Sequence, residues 1–480
     1  MLLRGQCARG ASRERFDNSG GIQPVGSVPG TRPLIRLAWR RAVGRVLVRR
    51  YWAVAALVAL TAAACSPDNS DVGASNRANR VNGNQADCVA AGPDAQDWSD
   101  EPSVELVEIG PSVRAAVYPR PDYEGDPWSQ WGQGVVLPDG RFISALGDHL
   151  GPDGNSFIYE YDPDSERLTQ ISDVLSLTYH RDGEWGYGKI HAQMVLGPCG
   201  QVFAATYWGT RSNLVYEGDY RGDLLLRLNP DERTIENLGP ILEGHGVPSL
   251  AGWAEGGLLY AEAANPDLWE PQRGALAVLD MNTGERIFAT PDEESHRGFR
   301  AMAVDRDGRV MFSRADGSLA RWDPATEEVA GTDIVLPGPF LRAATAPAPD
   351  GTVYLVTQDP YTFFALEADG NLRELGAAAG YTASMALAPD GSRFWYVPDA
   401  HGGAAERDTP VIEVDTETGE QRTVIELDPL ARESLELTLG GTYNVAVDAD
   451  GTTLYLGMNA APVGADDTFG EVVLVVMELE

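Results

Sequence analysis

The chain contains a single lysine, Lys189, against 36 arginines, and it stands two residues before a histidine in Trp185-Gly186-Tyr187-Gly188-Lys189-Ile190-His191-Ala192-Gln193. Burial can tune an amine in a way that it cannot tune a guanidinium. With Tyr207, in Thr206-Tyr207-Trp208-Gly209, His191 and Lys189 make the stretch from Tyr179 to Gly209 the densest in groups able to exchange a proton. The plainer reading of Lys189 is a solvated loop lysine. Two arginines recur in matching contexts, Phe299-Arg300-Ala301 and Leu341-Arg342-Ala343. Side by side they could grip a carboxylate bidentately, or they could pair with acidic neighbours such as Asp316 and Asp359. Tyr443 and Asn444, with Trp131 and Gln133, combine rings with amides in the manner that suits sugar rings and hydroxyls; packing inside the fold is the alternative for the aromatics. His149, His191 and His245, with Asp148 as an oxygen donor, are the candidates for a divalent metal, the one cofactor the residues hint at. Their spacing is non-local, and hydrogen-bonded surface histidines would look the same.

Something must bring these distant groups together. Seven tight turns punctuate the chain: Pro138-Asp139-Gly140, Pro198-Cys199-Gly200, Glu255-Gly256-Gly257, Arg306-Asp307-Gly308, Pro349-Asp350-Gly351, Pro389-Asp390-Gly391 and Ala449-Asp450-Gly451. Each sits between two short apolar stretches, which is the hairpin signal. The final glycines stand 60, 57, 51, 43, 40 and 60 residues apart, so one structural unit recurs seven times. The pattern predicts an all-β fold, a seven-bladed β-propeller over residues 103–480. About 375 residues give roughly 50 per blade, enough for four strands and their loops. The last blade shows only three C-terminal strands. Its fourth is expected from Val104–Val107 or Val113–Tyr118, which would pair the chain ends and remove an exposed edge. In this topology all six histidines fall on the face opposite the Asp-Gly turns, where ligand sites of closed β architectures lie.

Residues 45–65 resemble a bacterial lipoprotein signal: Arg45, Arg49 and Arg50 precede an apolar run that ends in Thr61-Ala62-Ala63-Ala64-Cys65. The run is too short to span a bilayer. The resemblance implies that residues 1–64 are removed, that Cys65 is lipidated, and that Ser66 directs the product to the outer membrane where the cell has one. Residues 1–43 do not fit a signal peptide, and initiation at Val46, Leu47 or Val48 would account for them. From Cys65 to 102 the sequence has few large apolar side chains and reads as a flexible tether. Removing residues 1–64 takes away 11 arginines and 2 acidic residues and carries the net charge from −34 to −43. Such a chain has no electrostatic basis for binding nucleic acid. Cys88 and Cys199 remain as a pair, either disulfide-bonded, as exported chains favour, or as two thiols.

Across residues 104–480 the repeated pieces, such as Leu387-Ala388-Pro389-Asp390-Gly391 and Val447-Asp448-Ala449-Asp450-Gly451, resemble the bacterial YVTN/gluconolactonase-like and virginiamycin-lyase-like propellers. The resemblance implies the architecture and no particular reaction. The expectation is an extracytoplasmic lipoprotein, in the periplasm or on the cell envelope, that binds a carbohydrate or organic acid at the channel mouth. Two alternatives stand beside it. One is a lyase or hydrolase, in which Arg300 and Arg342 neutralise a substrate carboxylate while His191, Lys189 or Tyr207 removes the adjacent proton. The other is a scaffold for an envelope protein partner.

Overall fold

Each punctuating triplet becomes a hairpin turn in which the last residue's amide donates to the carbonyl three residues back, from Gly140 to Leu137 at 2.9 Å through to Gly451 and Asp448 at 3.1 Å. All seven turn glycines have positive φ, between 65° and 94°, where a side chain would be strained. The computed structural model describes residues 88–178, 184–207, 219–266, 274–292, 301–314, 316–338 and 340–479. In it the apolar stretches pair into seven antiparallel sheets, the blades of a β-propeller. Blades 1 to 6 are successive meanders between Val135 and Glu426. Aromatic rings fill the wedges between them: Tyr260 and Trp322 lie 5.8 Å apart between blades 3 and 4, and Phe363 and Phe394 lie 5.0 Å apart between blades 5 and 6.

Blade 7 closes the ring. Its strands Leu437–Val447, Thr453–Pro462 and Glu471–Glu478 accept Val113–Val117 as the fourth, with Val475 opposite Ala115. Of the two sequence candidates the second therefore closes the blade. The first divides: Ser103–Glu105 extends the outer edge of blade 1 beside Arg167–Asp173, and Val107–Gly110 adds a fifth strand to blade 7.

The segment ahead of the propeller corrects the expectation of a tether reaching to residue 102. Gln96–Asp97 pairs with Thr234 and Ile235 at the edge of blade 2, Trp98 is buried, and the Cys88 and Cys199 sulfurs are bonded. One large aromatic and one covalent link anchor a stretch whose composition is otherwise polar. Cys65 and residues 1–87 lie outside the described residues. A further departure is the eight-residue helix Asp428–Leu435 between blades 6 and 7, too short for its periodicity to stand out, with Ala431 buried beneath it.

Candidate functional site

The loops after the second strands and the entries to the first strands meet at the end of the channel opposite the Asp-Gly turns. Trp131 is the hub there. Its ring centre lies 4.5 Å from that of His149, 5.3 Å from Tyr443, 5.5 Å from Phe469 and 5.9 Å from His401. The Lys189 Nζ sits 3.8 Å above the same indole and 2.7 Å from His149 Nε2. Backbone proximity fixes this pairing. The Asp148 amide donates to the Gly188 carbonyl at 2.5 Å, and a Cβ on Gly147 would lie 2.1 Å from that carbonyl oxygen. Only glycine at 147 lets the blade 1 loop come so close to the strand Lys189–Ile190.

Lys189, His191 and Tyr207, the proton-exchange candidates, are near neighbours. Tyr207 is the antiparallel partner of Lys189, and its ring centre is 4.9 Å from that of His191. His191 is buried, and its Nδ1 bonds the Pro248 carbonyl at 2.9 Å.

Arg342 and Tyr443 reach the mouth by the same device. In blade 5, Leu341 opposes Thr357 and Ala343 opposes Val356, which leaves Arg342 as the extra residue of a β-bulge. In blade 7, Thr442 opposes Met458 and Asn444 opposes Gly457, which leaves Tyr443 extra. A bulge re-aims a side chain that regular pleating would send elsewhere. Tyr443 is 2 % exposed and hydrogen-bonds His401 Nδ1 through its hydroxyl. Arg342 is 1 % exposed, with Nε and Nη2 directed at the Tyr381 hydroxyl, the former at 2.7 Å, and its guanidinium carbon 4.6 Å from the Tyr381 ring centre. Its Nη1 has no partner among the described residues. Arg342 forms neither of the expected pairs with Asp316 and Asp359: among the described residues its partner is Tyr381, and the Asp316 carboxylate holds Ser318. Arg300 lies outside the described residues, as do His180 and His296.

Two expected ligand-binding amides act in the architecture. Asn444 is fully buried and takes the Gly134 amide on its Oδ1 at 3.0 Å, and Gln133 donates through Nε2 to the Val445 carbonyl at 3.0 Å. Both bonds join blade 7 to blade 1, because inner-strand backbone groups beside the channel need partners that the neighbouring blade's backbone does not supply. Gln133 also borders the central cavity.

The metal expectation for His149, His191 and His245 is corrected. His149 faces the Lys189 amine, His191 the Pro248 carbonyl, and His245 bonds Asp292 at 3.1 Å, so the three imidazoles point to different partners. Among the described residues no group of three or more His, Cys, Asp or Glu is placed to hold a metal ion. Asp148, the proposed oxygen donor, is buried and accepts from the Leu150 amide at 2.8 Å, the Asn155 amide at 3.2 Å and the Tyr123 hydroxyl. Burial pushes its carboxyl up to about 6 against those bonds. Burial and the adjacent Asp148 push the Tyr123 hydroxyl up as well.

Sequence reasoning passed over Tyr381, Phe469, and the pairing of Tyr123 with Asp148. Tyr381, which stands just ahead of the blade 6 inner strand, could have been found from its place in the repeat; Phe469 and Tyr123 carry no such signal. The cavity bounded by Trp131, Gln133, His191, Ala343, Ala344 and Tyr443 has about 20 Å³ of interior, room for about one water. Trp131 is itself 3 % exposed, so its ring is not presented to a sugar.

No protein-family model and no curated protein sequence matches the chain. Solved structures do. The WD40 repeats of RRP9 share 11% identity at a TM-score of 0.50, over 76% of this chain and 97% of that one. Virginiamycin B lyase from Staphylococcus aureus shares 9% identity at a TM-score of 0.49, over 76% of this chain and 99% of that one. Hydrazine synthase of Kuenenia stuttgartiensis shares 15% identity at a TM-score of 0.46, over 72% of this chain and 99% of that one. At these identities the likeness is one of fold. The chain is a β-propeller.

Proposed function

We propose that this propeller is an exported, lipid-anchored protein that binds a small organic acid at the mouth of its channel, with the ligand carboxylate against Arg342. The observation that carries the reading is Arg342 itself. Its guanidinium is buried, its described partner is the neutral Tyr381 hydroxyl, and Nη1 is left over. This occurs in a chain with 71 acidic residues, and none of the described ones pairs with Arg342. A buried guanidinium without an anion is costly, and a carboxylate supplies both the charge and the missing acceptor.

The narrow interior has no room for an oligosaccharide, and the net charge of −34 disfavours polyanions at long range. The lipoprotein-like segment 45–65 supports export, as does the bond between Cys88 and Cys199, which is characteristic of oxidising compartments.

Thermal unfolding in the presence of acetate, propionate or glycolate, at constant ionic strength with chloride as control, tests the reading. The carboxylates raise Tm in a concentration-dependent manner, glucose does not, and Arg342→Met removes the effect. A flat carboxylate titration, or one that survives Arg342→Met, defeats it.

A further inference from the structure

We propose that Lys189 is a carbonyl-capturing amine: the mouth takes small 2-oxo or aldehydo acids, and Lys189 joins their carbonyl carbon in a reversible imine while His149 carries the proton. This rests on the carboxylate reading of the mouth and names the class of acid.

Three features of the geometry support it. The amine is buried, with the lysine 5 % exposed, and Nζ lies over the Trp131 indole, so little water competes for it. His149 Nε2 is 2.7 Å away, within reach to take the ammonium proton. Trp131, whose ring carries the amine, walls the same cavity as Ala343 and Ala344, the two residues that follow Arg342. The chemistry also explains the residue type, because arginine, used at all 36 other basic positions, cannot serve as this nucleophile.

The step balances without a redox partner. His149 takes a proton from the ammonium, the freed lone pair forms the C–N bond, the carbonyl π pair moves to oxygen, and a second N–H proton passes from that nitrogen to the oxygen. The carbinolamine then loses that oxygen as water with the proton returned from His149, and the C=N bond forms. One amine and one carbonyl give one imine and one water.

The test is reductive trapping of the full chain with glyoxylate, and separately pyruvate, in the presence of sodium cyanoborohydride, read by intact mass and peptide mapping. Because the chain has one lysine, the chain's amino terminus is the competing amine, and mapping separates the two. The expected result is a single adduct on the peptide carrying Lys189, formed at least tenfold faster than on Nα-acetyl-lysine. It is absent in Lys189→Arg and slowed at least tenfold in His149→Gln, with an altered pH profile. Modification confined to the amino terminus, trapping at Lys189 no faster than on free lysine, or a rate unchanged by His149→Gln overturns the proposal. Propionate, which has the carboxylate without the reactive carbonyl, separates this from the underlying reading. Stabilisation by propionate with no adduct sinks the imine and leaves the carboxylate site standing. An adduct with no propionate effect supports the imine and sinks the carboxylate site.

Discussion

The Lys189 Nζ and the His149 Nε2 are 2.7 Å apart across the junction of blades 1 and 2, although 40 residues separate them in the chain. His149 follows the second strand of blade 1, Phe142–Leu146, and Lys189 precedes the inner strand of blade 2, so the propeller's turn from one blade to the next brings them over the same indole. Lys189→Met keeps the length of the side chain and removes the charge. It forfeits a cation–π contact and a charge-assisted hydrogen bond, a loss of about 2 kcal/mol in urea unfolding. Unchanged stability would mean that neither contact contributes.

Arg342 leads to the opposite expectation in the absence of ligand. A buried guanidinium with a leftover N–H and a neutral partner gains little from its surroundings and loses its hydration. Arg342→Met should therefore leave the ligand-free protein within about 1 kcal/mol of the parent, or more stable, while lowering carboxylate affinity at least tenfold. Destabilisation beyond about 3 kcal/mol would show that Arg342 is already compensated within the protein, as a broken buried ion pair would be.

Asp148 sets a pH dependence with a definite sign. Burial raises its folded-state pKa to about 6, above the unfolded value, so the folded protein holds the proton more tightly. That contribution to stability is complete below the unfolded pKa of about 3.9 and is lost as pH rises through 6, a change of about 3 kcal/mol. Because many other carboxyls titrate in this window, the informative quantity is the stability of the parent minus that of Asp148→Asn. This difference should fall between pH 4 and 7 and level off above it. A difference that rises with pH would place the Asp148 pKa below its unfolded value.

The propeller was legible because its signal is repeated: seven glycines required at left-handed φ recur through the chain, and each marks the same turn. His149 and His401 follow second strands and His191 precedes an inner strand, and these three stand around Trp131 and its cavity. Side-chain roles at the mouth were less accessible. Arg342 and Tyr443 are aimed by bulges, and a one-residue irregularity in pairing has no composition of its own. Asn444 carries the residue type of a ligand-binding amide but is consumed by the Gly134 amide of the adjoining blade, a contact visible only once the ring is closed. His245 is drawn away by Asp292, 47 residues distant, and no spacing rule in the sequence foretells that pair. The docked segment 88–102 was legible only at Cys88, through its expected pairing with Cys199; its other anchor, Trp98, is a single residue in a polar background.

Those two anchors make separable predictions. The bond between Cys88 and Cys199 closes a loop of 111 residues, and removing a native disulfide typically costs about 2 to 5 kcal/mol, the upper end being what chain entropy alone gives for so long a loop. Replacing both cysteines with serine should lower global stability by about that amount in urea unfolding. The native-state response should be local. Downstream of Cys88 the segment is held by the Trp98 amide on the Arg233 carbonyl at 2.8 Å, the Ser99 amide on the Ile171 carbonyl at 2.8 Å, the two-residue ladder to Thr234 and Ile235, and outlying contacts that include the Gly92 amide on Glu236, the Gln96 side-chain amide on the Ser176 carbonyl, and the exposed Arg233–Asp100 pair. Few bonds and one buried ring form a weak cooperative unit, so without the covalent link it opens independently of the blades. In amide hydrogen exchange, Trp98 and Ser99 should lose protection in the double-serine variant far more than Val475, which lies deep in the ladder that closes blade 7. Equal loss at all three would mean that the segment and the ring unfold as one body and that the disulfide acts on the whole propeller.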